Sequence, residues 1–236
     1  MIARVTLCLG LATVCAHGQQ SSVVAQVEVV RQRAGERRNA DTNFADVVVW
    51  LVPTDAPPAS DPVSPARVPQ VVQRNKTFEP HVVAVRVGSA VQFPNQDPFL
   101  HNVFSLFDGK RFDLGFYEAG WSRAVRFDRA GVSFLFCNIH SEMSAIVVAV
   151  PTPYFDVSDR QGRVTLTHVP NGRYRMEVWY ERSAAEELRT LARVVTVTNP
   201  NRSLGTIRVA ENPSFTLTHK NKYGQDYVPP ANGITY

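Results

Sequence analysis

An all-β protein built as two β-sandwiches is what this 236-residue sequence predicts. Short runs rich in Val, Phe and Tyr alternate with polar residues and stop at Gly, Pro and Asn turn signals. Helical periodicity is nearly absent, the exception being "SAAEELRTLARV" (Ser183 to Val194), which has room for a few helical turns. Hydrophobic residues make up 44% and charged residues 19%, the balance of a folded chain rather than a disordered one.

The elements follow in order. "MIARVTLCLGLATVCAHGQQ" has one arginine, an apolar run and then small residues, the layout of a secretory signal over residues 1–18, with Ala16 and Gly18 before the cut. A lipoprotein signal ending at Cys15 fits less well, because bulky Val14 stands where a small residue is wanted. That run is too short to span a bilayer, and no later segment is apolar enough. The expectation is an exported chain, periplasmic or secreted, without a transmembrane segment. "VVAQVEVV" and "ADVVVWLV" are the first two strands. Between them "RQRAGERR" (Arg31 to Arg38) is basic, but it holds no aromatic residue and a glutamate interrupts it. It reads as a solvated hairpin turn rather than a nucleic-acid surface. The formal charge is +4, or +3 once Arg4 has left, which says little about partners.

"PTDAPPASDPVSPARVP" carries six prolines between Pro53 and Pro69, too many for a sheet interior, and reads as a linker. After it come "HVVAVRVGSAVQF", "HNVFSLF", "RFDLGFY", "SRAVRFDRAGVSFLFC" and "SAIVVAV". In the first of these Val82, Ala84 and Arg86 face away from Val83, Val85 and Val87, and Gly88-Ser89 turns the chain. A further block, "PYFDVSDRQGRVTLTHVPNGRYRMEVWY", holds strands joined through "DRQG" and "VPNG". The tail 211–236 has no clear period and is expected to lie extended over the surface. Trp50, Trp121 and Trp179 are expected to fill the cores.

"FLFCNIHSEM" sets Cys137, His140 and Met143 at three-residue intervals after an apolar strand. A thiol, an imidazole and a thioether have in common the binding of a soft metal ion. Taken alone, the loop reads first as structure, with Cys137 a small core residue, Met143 a gap filler and His140 a surface histidine. Export sharpens the choice, because Cys8 and Cys15 leave with the signal and Cys137 is then the single thiol. In an oxidising compartment such a thiol is either buried and inert or tied up as a ligand. "FPNQDPFLHNVF" offers His101 as a fourth donor, 36 positions before Cys137. Two imidazoles and a thiolate with a weak axial thioether form the electron-transfer copper arrangement. Zinc would use the thiolate and imidazoles but gains little from the thioether.

Over about residues 70–150 the sequence resembles the blue-copper cupredoxins of the plastocyanin and amicyanin kind. The likeness rests on Phe78 and Pro80, Gly88, Asn95, Asp97, the His101-Asn102 pair, the "FDRAG" turn and the C-x2-H-x2-M loop. It implies a Greek-key β-sandwich over 66–150 holding one type 1 copper through His101, Cys137, His140 and Met143. It also implies that the Asn102 side chain clasps the His101 segment to the cysteine loop from behind the ligands. Asn138 stands where serine or threonine is usual, and Glu142 puts a carboxylate in a loop that is normally apolar. "VVAQVEVV…ADVVVWLVP" and "DRQGRVTLTHVPNGRYRMEVWYE" resemble the two halves of a carboxypeptidase-regulatory-like, transthyretin-type sandwich. That suggests a second, smaller sandwich made of 23–56 and 151–210, with 66–150 inserted. Two consecutive β units sharing one core is the alternative.

The function expected is single-electron transfer between redox proteins, with a partner docking near the ring edge of His140. A copper carrier without redox turnover and a carbohydrate- or protein-binding β module are the alternatives. An enzyme is not expected: four protein donors leave no open position, no G-x-S-x-G or phosphate loop occurs, and too few histidines remain for a multicopper cluster. His81 and His168 read as surface or core residues. His219 in the tail is a candidate cover for the site or a contact for a partner.

Overall fold

In the computed structural model, the described residues are 21–31, 43–55, 67–106 and 109–227. The expected signal, the Arg-rich turn and most of the proline-rich stretch lie outside them. The strands run β1 (Ser21–Arg31), β2 (Val48–Pro53), β3 (Val72–Arg74), β4 (Thr77–Glu79), β5 (Val82–Arg86), β6 (Ala90–Pro94), β7 (His101–Ser105) and β8 (Phe112–Tyr117). They continue β9 (Ser122–Arg126), β10 (Gly131–Phe136), β11 (Ser144–Val150), β12 (Phe155–Val157), β13 (Arg163–Val169) and β14 (Gly172–Trp179). Helix α1 (Ala185–Leu191), β15 (Arg193–Val197) and β16 (Ser203–Glu211) complete the chain. The fold is all-β, and its single described helix falls in the segment where the sequence allowed one.

The strands form layers. The order β13-β1-β16 makes one sheet and β12-β2-β14-β15 the next, with one apolar core between them. The order β5-β11-β10-β7-β8 makes a third sheet. The ribbons β3-β4 and β6-β9 are linked by the Gln70–Gln92 and Gln73–Asn95 bridges and close a second core over that sheet. Among the described residues β1 and β2 pair with β12, β13, β14 and β16 and with no strand between Val72 and Val150.

The two middle sheets also pack on each other, through Val48, Val82, Ile146, Val148 and Val150 with Trp50, Phe155 and Trp179 around them. This explains the unbroken apolar runs "VVVWLV" and "SAIVVAV". Side chains alternate faces along a strand, so a strand with both faces covered needs apolar residues at every position. Val47, Val49 and Leu51 turn one way, Val48 and Trp50 the other. Ala145, Val147 and Ala149 likewise oppose Ile146, Val148 and Val150. The expected alternation in β5 holds, with Val85 in one core and Val82 in the other.

One turn shows why glycine is required in "DRQG". Gly162 has φ +79°, and a Cβ there would run into the Val27 carbonyl, which lies beside the Val27 N–H···O Gly162 bond of 2.7 Å. Trp121 departs from expectation. It sits in the turn between β8 and β9, directly after Gly120, and is 64% exposed, whereas Trp50 and Trp179 pack at the seam between the middle sheets.

Candidate metal centre

His101 opens β7, and Cys137 follows the last residue of β10, which pairs with β7 through Phe136 and Phe104. Strand pairing therefore brings the two side chains together across 36 positions of sequence. The chain then turns tightly: Met143 N–H donates to the His140 carbonyl at 3.2 Å, and Cys137 N–H donates to the Met143 carbonyl at 3.2 Å. The turn folds His140 back over the thiol and returns Met143 to the core beside it.

The Cys137 sulfur lies 3.8 Å from Nδ1 of His101 and 3.6 Å from Nδ1 of His140. All three donor atoms fall within 4.8 Å of one another. A metal bonded at about 2.3 Å to sulfur and about 2.0 Å to nitrogen sets an S···N edge of roughly 3.5 Å at a tetrahedral angle and roughly 3.7 Å at 120°. The donors thus stand at coordination spacing, and the residues fit a soft ion. Cys137, His101 and Met143 are fully buried, and His140 keeps 9% of its surface. The two imidazoles meet edge to face with centroids 4.9 Å apart, and Phe99 packs against both.

Asp97 fixes the first imidazole. Its Oδ2 lies 2.7 Å from His101 Nε2 and also accepts the Lys76 N–H at 2.9 Å, while Oδ1 accepts the Asn75 N–H at 2.6 Å. Asn75 and Lys76 are the two-residue turn of the β3–β4 hairpin, both at positive φ, so their amides point into one place. With Nε2–H donated to the carboxylate, Nδ1 of His101 carries its lone pair toward Cys137.

The electrostatics suit a bound cation. Burial pushes both histidines below the ordinary imidazole value, and for His140 the neighbouring His101 and Lys76 charges add to this. Burial pushes the Cys137 thiol up, against the backbone N–H groups of Asn102, Ile139 and His140, which face the sulfur and favour thiolate. For Asp97 burial acts to raise the carboxyl, and the Lys76, His101 and Asn75 hydrogen bonds outweigh it and bring it below the usual range.

Asn102 reaches the site differently from the side-chain clasp implied by resemblance. Its backbone N–H faces the sulfur, but its side-chain Nδ2 donates to Asp113 at 2.7 Å, away from the cysteine loop. The tail is also more than a surface strand: His219 stacks on Phe136 at 4.0 Å, and the Tyr227 hydroxyl donates to the Cys137 carbonyl. His81 is placed at the join of the middle sheets, 2.9 Å from Glu181, and His168 is exposed on β13 at φ +58°. Sequence reasoning assigned no role to Asp97, Asp113, Lys222 or Tyr227. Asp97 alone had a visible signal, a carboxylate four positions before a candidate ligand.

No protein-family model matches the chain, and no curated protein matches it. Among solved structures it is similar to a copper-containing nitrite reductase from Thermus scotoductus SA-01, with 22% identity and a TM-score of 0.34, covering 36% of this chain and 22% of that one. It is similar also to a purple cupredoxin from Nitrosopumilus maritimus, with 21% identity and a TM-score of 0.32, covering 35% of this chain and 99% of that one. An oxidised amicyanin variant gives 21% identity and a TM-score of 0.34, with 35% and 82% covered.

Proposed function

We propose that this is an exported type 1 copper protein that carries single electrons between redox partners, with one copper per chain. The observation that carries the reading is the buried Cys137 sulfur held 3.6 and 3.8 Å from two imidazole nitrogens. Met143, buried in the same core cluster, supplies a thioether, the donor that favours copper over zinc. His101, Cys137, His140 and Met143 would hold the ion, which when bound supplies a one-electron couple. The chain's own part is rigidity: donors set by two paired strands and a closed turn, inside a packed core, need little rearrangement when the charge changes. Four protein donors leave no position for a substrate, so we read the protein as a carrier and not an enzyme.

His140 is the ligand with surface, and the half-exposed Leu100 and Ile139 adjoin His101 and His140 in sequence. A redox protein docking there would find an apolar contact beside the exit route. Among the described residues no helix is long and apolar enough to cross a membrane. We assign residues 23–56 and 151–210 to one outer sandwich and 66–150 to an inserted one, which accords with the pairing of β1 and β2.

A visible spectrum of the Cu(II)-loaded protein tests the proposal. The result expected is intense absorption and reversible voltammetry, with the colour lost in Cys137→Ser while the far-ultraviolet circular dichroism is kept. A colourless wild-type complex, or a Cys137→Ser variant with an unchanged spectrum, would overturn it.

A further inference from the structure

The segment 212–227 follows the last strand of the outer sandwich, yet its polar groups converge on the ligand strands. The Lys222 backbone N–H donates to Asn138 Oδ1 at 3.0 Å, and its ammonium pairs with Asp113 Oδ2 at 2.7 Å. The Tyr227 hydroxyl donates to the Cys137 carbonyl at 2.6 Å and lies 3.2 Å from His219 Nδ1. Asp113 Oδ1 accepts from Asn102 Nδ2 at 2.7 Å, and the Asn102 backbone N–H faces the Cys137 sulfur. These bonds form a circuit from the cysteine loop, through the tail and β8, to the histidine strand, whose Asn102 N–H turns back toward the sulfur.

The circuit has a physical purpose. The thiol must stay at one distance from His101, but Cys137 and Asn138 stand just beyond the end of β10, where one turn bond, from the Cys137 N–H to the Met143 carbonyl, replaces the strand pairs. The Asn102 side chain does not reach across: it turns to Asp113, and its own Oδ1 is buried without a partner. Asn138 likewise spends its side-chain oxygen, Oδ1, on the tail. Asp113 is held below the ordinary carboxyl range, its burial outweighed by hydrogen bonds from Lys222, Gly115 and Asn102, so it stays an anion for the ammonium. Behind the circuit, His219 lies flat on Phe136 with the rings 24° apart and Tyr227 stands edge-on to it, so the tail has an apolar anchor beside its polar one.

We propose that the C-terminal tail is the clasp of the metal centre, with Lys222 and Tyr227 as positioning residues. They hold the Cys137–Asn138 backbone against the His101–Asn102 segment. The inference rests on the copper reading for its purpose, while its geometry is made of hydrogen bonds within the chain itself.

The test uses the full chain with Lys222→Met, Tyr227→Phe and the double variant, and Lys222→Arg as the conservative control. In metal-free protein, the rate at which a disulfide reagent modifies Cys137 reads how often the loop opens. About tenfold faster modification is expected in the double variant, near wild-type in Lys222→Arg. In copper-loaded protein, the ratio of the visible bands and the copper hyperfine splitting are expected to change with the same ranking. Tyr227→Phe removes one oxygen and keeps the ring, so it reports even if the double variant does not fold. Wild-type labelling in Tyr227→Phe and Lys222→Met would overturn the clasp. Faster labelling with unchanged spectra would also overturn it, because the tail would then be only a cover. If wild-type protein gives no coloured complex, the copper reading falls, and the labelling rates still judge the clasp.

Discussion

The carboxylate of Asp97 lies 2.7 Å from Nε2 of His101, and both groups are buried. The same carboxylate gathers the two amides of the Asn75-Lys76 turn, so the ring's orientation depends on a hairpin from the opposite layer. Asp97→Asn keeps the shape but loses the charge that orients the imidazole. Copper affinity is expected to fall about ten- to a hundredfold, read by competition with a chelator of known affinity. Unchanged affinity would show that the carboxylate serves the turn alone.

Met143 is fully buried in the core that contains Cys137. Met143→Leu conserves volume, so folding should change by less than about 1.5 kcal/mol. The copper should stay bound with a shifted reduction potential, because an axial thioether tunes more than it holds. Voltammetry of the loaded variant checks this, and loss of the metal would count against an axial role.

Ile146 points into the seam between the middle sheets, on the opposite face of β11 from Ala145 and Val147. Ile146→Ala should cost about 2–4 kcal/mol in denaturant unfolding. The visible spectrum of the folded, loaded variant should match wild type. A changed spectrum would mean that strain at the seam reaches the ligands through β11.

His81 accepts or donates at two places, Glu181 Oε2 at 2.9 Å and the Ser144 carbonyl at 3.2 Å, and Asp46 also faces it. The Glu181 hydrogen bond raises its pKa, ahead of burial, which opposes. Asp46 is itself raised, chiefly by burial, with the His81 charge acting to lower it and Glu181 and Arg182 nearby. A group raised on folding stabilises fully below its unfolded value of about 6.5 and loses that contribution as pH climbs through its folded value. His81→Gln should therefore lower Tm by about 2–4 °C near pH 5.5, for a bond worth about 1 kcal/mol, and by much less near pH 9. Thermal melts of both proteins across that range decide it, and a gap that widens toward alkaline pH would reverse the assignment.

Much of the sheet framework was legible because alternation is local. A strand such as β5 states its two faces in its own residues, whereas the double burial of β2 and β11 went unread although their unbroken apolar runs carry it. Cys137, His140 and Met143 were legible for the same reason, being spaced within one turn. The tail was not. Lys222 and Asn138 are 84 positions apart and Tyr227 and Cys137 are 90, and nothing in "THKNKYGQDY" says which surface its amides will meet. Asn102 was misjudged in its side chain because its partner depends on β8 supplying Asp113 across a bulged pairing. Trp121 was misjudged because size alone does not bury a residue placed in a turn.

The parallel partner of β1 is β16, and its antiparallel partner is β13. Gln26 in β1 and Gln161 just before β13 are 135 positions apart. At about 5–20 residues per second of synthesis, the first strand exists for on the order of ten seconds before either neighbour has been made. During that interval Val23, Ala25, Val27 and Val29 have no core, and both edges of the strand are open to any other chain. The four candidate donors are all made in the meantime, whereas Tyr227 is joined 84 positions after the last of them, Met143. Assembly therefore runs from the middle outward: β1 waits longest for its sheet, and the lock on the metal centre closes only after every one of its donors has been made.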